Sequence, residues 1–229
     1  MSENPNEVTN EDFVVHGAEE PIMHVLSKIT TVLCHPLLMP AYCTLITLFG
    51  NSPYAHGFSL RAFTFIIVLM GLVGCLCPLM IIGVYMFTGH IKELEMNSRQ
   101  ERVLPCITIG ALMMVALFVM PRHILPAPLV GMLWGEASML VFAGLCSLRW
   151  KISLHTLGTG GLLAYVVFTG LIFQTDFCWL AALAFVAAGL SAWTRLYERA
   201  HTSAQLLMGY VVGFAAMWCS MFMIVGHIL

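Results

Sequence analysis

Three polar residues in the stretch TRLYERAHTSAQ, residues 194–205, have types and spacing suited to phosphate chemistry. Arg195 carries a guanidinium group whose fork of N–H donors fits phosphate oxygens. His201 and Gln205 are four residues apart, so on one helix they would share a face and touch. The glutamine carbonyl would then accept a hydrogen bond from one imidazole nitrogen and leave the other free to attack an electrophile.

A second cluster, KISLHT at residues 151–156, supplies Lys151, Ser153 and His155. Ser153 and His155 stand just before a long apolar run, and His201 stands at the start of another. Both places are expected helix N-termini, where unpaired backbone N–H groups and the helix dipole favour anions. The two clusters together therefore predict an anion site, with Lys151 as a further cation.

A third cluster, KELEMNSRQERVLP at residues 92–105, offers Lys92, Arg99 and Arg102 as phosphate ligands. The same segment also contains three glutamates, which could pair with these cations along a solvated helix face. Both interpretations of the segment stay open at the level of sequence. The acidic residues concerned are Glu93, Glu95 and Glu101.

The clusters resemble the three motifs of the type 2 phosphatidic-acid phosphatase superfamily, a family of membrane lipid phosphatases. Its motifs run K-x6-R-P, then P-S-G-H, then S-R-x5-H-x3-D. Residues 194–205 resemble the third motif as T-R-x5-H-x3-Q, and residues 152–155 resemble the second as I-S-L-H. The resemblance covers about residues 85–215, and the second and third motifs flank a two-span hairpin at 157–195.

The first motif is divergent and has two competing matches. Lys92 and Arg99 have the family spacing, but Gln100 follows where the family has proline. Arg102 with Pro105 is the alternative match. The third motif also departs from the pattern, because Gln205 replaces an aspartate. An amide can orient an imidazole but supplies no negative charge to stabilise it when protonated.

The resemblance implies a metal-independent hydrolase without a cofactor. His201 would attack phosphorus and become a phosphohistidine, His155 would protonate the leaving alcohol, and Gln205 would orient His201. The implied phosphate ligands are Arg195, Arg102, Ser153, Lys151, Lys92 and Arg99. The implied substrate is a lipid phosphate or pyrophosphate of the polyprenyl, phosphatidylglycerol phosphate or lipid A type.

The elements that position these clusters must be membrane helices. The chain has 229 residues, of which 59% are hydrophobic and only 10% charged, whereas a soluble globular surface needs more polar residues. A tail at residues 1–22 precedes the first apolar run and is acidic. The remainder, residues 23–229, is predicted to form one bundle that contacts membrane lipids. No basic, aromatic-interleaved segment indicates a nucleic-acid partner.

The predicted fold is an all-α, polytopic transmembrane helix bundle with about seven spans. Each span needs about 20 mostly apolar residues. His35, Pro36 and Pro40 interrupt the first run and could break it, which would leave six continuous spans. The apolar runs lie near 25–50, 62–88, 104–121, 128–147, 157–175, 178–195 and 205–227.

Parity places segments 89–103, 148–156 and 196–204 on one side of the membrane, which we call the charged face. Eight of the ten Lys and Arg residues lie towards this face. The positive-inside rule alone would make it cytoplasmic. A phosphate site would concentrate the same cations, however, and the resemblance implies a bacterial inner-membrane protein whose charged face is periplasmic.

Two intramembrane ionisable residues remain outside the motifs. His35 could bond a neighbouring helix or take part in substrate binding, and Glu136 is expected to bond between helices. Three other functions compete with the lipid phosphatase. They are a catalytically weak or inactive relative that binds lipid phosphate, a transporter with polar residues near the midplane, and a haem or quinone protein with paired histidines inside the spans.

Overall fold

The computed structural model describes residues 21–50, 52–54, 57–94, 96, 98–121 and 123–226, and its regular elements are all helical. The predicted all-α polytopic bundle is thereby confirmed. Most of the predicted acidic tail, residues 1–20, lies outside the described residues. Its last two positions belong instead to the first helix, which begins at Pro21.

The described residues form nine α-helices, with short 3₁₀ and π segments between some of them. A 3₁₀ turn at Pro36–Leu38 separates the first two helices, and a π-helical segment at Gly71–Leu76 joins the third and fourth. The helices are α1 (Pro21–Leu33), α2 (Met39–Phe49), α3 (Leu60–Met70), α4 (Cys77–Phe87), α5 (Arg99–Val119), α6 (Ala127–Ser147), α7 (Leu154–Phe173), α8 (Cys178–Tyr197) and α9 (Ser203–Val225).

Within the described residues, six helical spans are long and apolar enough to cross a membrane, with α3, the π segment and α4 counted as one span, Leu60–Phe87. The number is seven if α1 and α2 count as one bent span. The bend between those two helices is 45°. It occurs at His35, whose Nδ1 accepts a hydrogen bond from Leu37 N at 3.3 Å and so caps the following turn. Pro36 cannot donate a backbone hydrogen bond, which favours a break at this point. The first apolar run, whose continuity the sequence left open, therefore forms two helices.

Two helices begin earlier than the apolar runs predict. Ser98 caps α5 by accepting a hydrogen bond from Glu101 N at 3.3 Å, so α5 starts at Arg99 rather than near 104. Ser153 caps α7 in the same way through Thr156 N at 3.4 Å. Hydropathy underestimates these helices because their first turns are polar. Arg102 and His155 consequently lie on the helices themselves.

Helices α7 and α9 approach each other closely through glycine. A Cβ atom on Gly160 would lie 2.7 Å from the carbonyl oxygen of Tyr210. Gly209 and Gly213 on α9 face Thr156 and Leu157 on α7 with no space for a side chain. Small residues at such crossings allow helix backbones to pack tightly in a membrane. This contact holds the start of α7 against the start of α9.

Helices α5 and α6 pair in a similar manner, with Gly110 against the Ala137 carbonyl and Gly144 against Val103 and Ile107. Helix α7 is the most enclosed span of the bundle, and α4, α5, α8 and α9 present large apolar side chains outward. In a bilayer, the hydrocarbon chains of lipids contact such outward apolar side chains. The bundle therefore packs around α7 and contacts lipid at its periphery.

Candidate active site

The N-termini of α5, α7 and α9 lie at the charged face, and a side-chain hydroxyl caps each of them. Thr202 caps α9 by accepting a hydrogen bond from Gln205 N at 3.4 Å, as the two serines do for α5 and α7. The free N–H groups of a first helical turn attract anions. The fold thus directs three such turns to the end of the bundle that also contains the cations.

His201 and Gln205 are in contact, with 3.0 Å between His201 Nδ1 and Gln205 Oε1. The geometry differs from the predicted one, because His201 precedes the helix and does not share a helical face with Gln205. The contact forms through a capping box, in which Gln205 Oε1 also accepts from Thr202 N at 3.2 Å. Since this amide oxygen is an acceptor, Nδ1 of His201 donates and Nε2 is the nitrogen left for chemistry.

The His201 ring is 8% exposed and lies among positive charges. Burial, and next the charge of Arg102, lower the pKa of His201 to about 3. The hydrogen bond with Gln205 opposes that shift, and Lys151 and Arg195 add to it. The ring is therefore neutral near pH 7, which is the protonation state that a nucleophilic imidazole requires.

His155 is the second residue of α7 and is 7% exposed. Its ring meets that of His35 edge to face, with 5.3 Å between the ring centroids. Its Nε2 is buried and has no hydrogen-bond partner among the residues that the structure describes. The guanidinium groups of Arg195 and Arg102 lie near enough for their charge to act on this ring. A buried, unsatisfied ring nitrogen between cations is suited to a ligand that brings its own polar atoms.

Arg102 is held rigidly at the start of α5. Its Nε donates to the Met96 carbonyl at 2.8 Å, and its Nη1 donates to the Ile152 carbonyl at 2.7 Å. The side chain is 4% exposed. Because the second bond reaches the residue before Ser153, Arg102 ties the first cluster to the second.

Arg195 occupies the last turn of α8 and is 3% exposed. Its Nη2 donates to Thr31 Oγ1 on α1 at 2.6 Å and also forms a salt bridge with Glu198. Ser27 on α1 donates to the other Glu198 oxygen at 2.7 Å. Sequence reasoning missed Glu198, although its position three residues after Arg195 is a spacing typical of helical ion pairs.

Lys151 completes the cluster by donating from Nζ to the Ala200 carbonyl at 3.0 Å, next to His201. Burial, followed by the charges of Arg102 and Arg195, lowers the pKa of Lys151. Ser153 is fully buried, and its hydroxyl oxygen is used as the cap of α7. Lys151 and Ser153 therefore stabilise the backbone next to His201 and His155, respectively.

Two of the sequence-predicted phosphate ligands lie outside this cluster. Lys92 and Arg99 are both exposed. Arg99 Nη1 donates a hydrogen bond to the carbonyl of Arg149, beyond the end of α6, at 2.7 Å. Of the competing matches for the first motif, the structure brings Arg102 to the histidines. Arg99 and Lys92 form a separate, solvated part of the charged face.

A cavity of about 60 Å³ opens beside the cluster and is lined by Arg102, His155, Arg195 and His35. It extends into the bundle as far as Glu136 on α6. Glu136 Oε2 is buried without a hydrogen-bond partner among the described residues, so the predicted interhelical bond is absent at this atom. The site thus has a polar mouth and a deep extension that sequence reasoning did not anticipate.

Within the described part of the chain, no group of three or more His, Cys, Asp or Glu side chains has an arrangement that could hold a metal ion. Comparisons of the chain with models of known protein families, with curated proteins and with solved structures gave no match.

Proposed function

We propose that this integral membrane protein is a lipid phosphatase that hydrolyses the phosphomonoester or pyrophosphate of a lipid through a phosphohistidine. One observation carries the proposal: His201, oriented by Gln205 at 3.0 Å, is buried near three other buried residues, Arg102, Arg195 and His155. Phosphoryl transfer depends chiefly on positioning and on positive charge around the transferred group. The motif resemblance adds support from the sequence.

In the first step, the lone pair of His201 Nε2 attacks phosphorus and the bond from phosphorus to the leaving oxygen breaks. The negative charge of the bound phosphate offsets Arg102 and Arg195, so His155 is protonated in the complex. This imidazolium gives its proton to that oxygen, so that the lipid leaves as an alcohol, or as a lipid monophosphate when the substrate is a pyrophosphate. Arg102 and Arg195 neutralise the phosphoryl oxygens. Gln205 keeps the Nδ1–H of the phosphorylated ring in place.

In the second step, water attacks the phosphohistidine and the bond between nitrogen and phosphorus breaks. His155, now neutral, accepts the proton of the attacking water and returns to its imidazolium form. Inorganic phosphate leaves, and His201 regains its lone pair. Every proton is accounted for by the substrate, the water and His155, because the same histidine acts first as acid and then as base.

The direct test is phosphate release from a panel of lipid phosphates by the purified protein in detergent. His201→Ala removes the attacking nitrogen, and we expect it to abolish release while the melting temperature stays near that of the wild type. His24→Ala is the matched control, because His24 is an exposed histidine of α1. Release by His201→Ala at a rate near that of the wild type would refute the nucleophile.

A catalytically silent lipid-phosphate binder is the second candidate, and the absence of a carboxylate at Gln205 is the observation that favours it. Phosphohistidine trapping separates the two candidates. If the protein is an active phosphatase, rapid quench should trap acid-labile, base-stable phosphate on the wild-type protein and none on the His201→Ala protein. A silent binder retains the lipid, and neither protein gains covalent phosphate.

The proposal includes a bacterial inner-membrane location with the charged face in the periplasm. Ser203 is exposed at that face, and native Cys178 is exposed at the opposite end of the bundle. In intact cells we expect an impermeant thiol reagent to label Ser203→Cys in a background without other exposed cysteines. The matched protein with Cys178 alone should be labelled only after lysis. The reverse pattern would place the charged face in the cytoplasm.

A further inference from the structure

The deep end of the site cavity contains a carboxyl group that the mechanism does not use. Glu136 lines both the cavity at the histidines and a second, largely apolar cavity of about 50 Å³. The two cavities share Pro36, Leu140 and Leu154 as well as Glu136, so this side chain stands where they adjoin. Its Oε2 is buried and has no partner among the described residues.

An unsatisfied carboxyl inside a bilayer is costly, and such residues usually serve a ligand or a transport path. Apart from Glu136 and the polar residues at the mouth, the wall of this cavity is mostly apolar, and its lining includes Leu140, Cys106 and Ile109. A site that is apolar apart from one or two placed polar groups uses those groups to select its ligand. Glu136 is therefore positioned to bind one polar atom of an otherwise apolar molecule.

The depth of Glu136 indicates which part of a lipid would reach it. Gly110 on α5 packs against Ala137 on α6, so Glu136 is level with the fourth turn of α5. Arg102 is eight residues before Gly110 on α5, and a helix rises ~1.5 Å per residue. Glu136 therefore lies roughly 12 Å further into the membrane than Arg102.

In an acyl lipid, a phosphate at the head is followed a few bonds later by the ester or amide carbonyls that begin the fatty chains. An isoprenoid phosphate has only hydrocarbon at that distance. The cavity of about 60 Å³ has room for roughly four water-sized groups, about the size of one such linkage, at ~15 Å³ for each group. A carboxyl group can donate to a carbonyl or accept from an amide N–H.

We infer that Glu136 is a specificity residue that binds the ester or amide linkage of an acyl lipid phosphate and so selects acyl lipids over isoprenoid ones. This inference rests on the proposed function for the position of the phosphate at Arg102 and Arg195. It narrows the substrate to lipids that have a hydrogen-bonding group next to the glycerol or sugar backbone. The apolar remainder of the chains then continues towards the second cavity and the bilayer.

The test compares two phosphatidic acids that have identical chain lengths, one with ester-linked and the other with ether-linked chains. Their binding is measured in detergent on His201→Ala protein, which cannot turn over. We expect the ester lipid to bind about tenfold more tightly, because the ether lipid leaves the carboxyl unpaired. Geranylgeranyl phosphate should bind no better than the ether lipid.

Substitutions of Glu136 in the same protein test whether this side chain causes the preference for the ester lipid. Glu136→Leu should reduce the ratio of ester to ether affinity to about one, whereas Glu136→Gln, which can still donate to a carbonyl, should keep most of it. Ser138→Ala is the matched control on α6, since that hydroxyl bonds the Trp134 carbonyl of its own helix at 2.7 Å. Equal affinities for the two lipids, absence of binding of either, or a preference unchanged by Glu136→Leu would overturn the inference.

The outcomes separate the inference from the proposed function. If the ester preference is found and depends on Glu136, but the wild-type protein releases no phosphate, then the specificity site stands and the phosphatase proposal fails. If the wild-type protein hydrolyses both lipids equally and binds them equally, then the phosphatase stands and the inference fails. In that case the cavity holds only water between Glu136 and the histidines.

Discussion

The charged face contains two groups of polar side chains that differ mainly in burial. Arg102 and Arg195 are 4% and 3% exposed, and fixed partners hold each of their guanidinium groups. Lys92 and Arg99 are exposed, and the Arg99 contact is to backbone outside the cluster. A buried cation costs desolvation energy unless hydrogen bonds or an opposite charge offset that cost. Two backbone carbonyls do so for Arg102, and Glu198 does so for Arg195. The exposed pair is screened by solvent and contributes little to a local field.

The largest expected difference between the two groups is in catalysis. Arg102→Ala should lower kcat/KM for phosphate release by about 10²–10³-fold, the usual effect of removing one fixed transition-state donor. Arg99→Ala should lower it less than about threefold, because a solvated arginine near the site acts only through screened charge. The measurement is kcat/KM with a lipid phosphate, together with the melting temperature in detergent.

Arg102 also holds two backbone carbonyls, so its loss will destabilise the protein to some degree. Arg102→Lys controls for this, since it keeps the charge and loses the planar fork, and it should give an intermediate rate. Equal losses in Arg102→Ala and Arg99→Ala would contradict the division between buried and exposed cations.

The second effect concerns the buried and exposed histidines. We expect His155→Ala to reduce the hydrolysis of alkyl phosphates about 100-fold and that of a nitrophenyl phosphate only a few-fold, because a good leaving group needs no proton. His90→Ala, at an exposed histidine of the same face, should leave both rates unchanged. The same loss on both substrates would argue that His155 has a structural role and does not act as the acid.

The third effect tests Gln205, which is partly buried and contacts His201. Gln205→Asp should retain or raise the rate and should raise the pKa of His201, because a carboxylate stabilises the imidazolium. With the wild-type pKa at about 3, His201 remains neutral down to low pH, and the variant should lose activity on acidification at a higher pH. The measurement is the acid limb of the pH dependence of kcat/KM.

Gln205→Leu provides the opposite case. It removes the hydrogen bond that holds the His201 ring, so catalysis should weaken about tenfold with little change in substrate affinity. Because that bond also raises the pKa of His201, its loss should not move the acid limb to higher pH. Unchanged rates and pH profiles in both variants would show that Gln205 does not hold the nucleophile.

The smallest expected effect belongs to Glu198, which is 26% exposed and paired with Arg195. Glu198→Gln removes the negative charge beside a phosphate ligand but keeps hydrogen-bonding atoms near Thr31 and Ser27. We expect substrate affinity to rise by no more than about threefold, because partly exposed ion pairs contribute little. Lys92→Ala, as the exposed comparison, should change affinity less still. A tenfold loss of affinity in Glu198→Gln would show that the ion pair is needed to position Arg195.

Much of the architecture could be predicted from the sequence because its causes are local. Apolar runs of about 20 residues require membrane helices whatever the tertiary fold. The contact of His201 with Gln205 is local too. It arises from a capping box at Thr202, and a capping box is encoded by residues three positions apart in the sequence. The break at His35 and Pro36 follows from the missing backbone donor of proline.

Tertiary packing alone decided which cations join the histidines. Arg99 and Arg102 are three residues apart on one helix. Only the packing of α5 against the loop before α7 lets Arg102 donate to the Ile152 carbonyl and Arg99 to the Arg149 carbonyl. The bond from Arg195 to Thr31 joins residues 164 positions apart. No local pattern specifies such pairs, because they depend on how separate helices cross. The cavity that ends at Glu136 has the same origin, since its walls come from helices distant in sequence and its volume exists only after they pack.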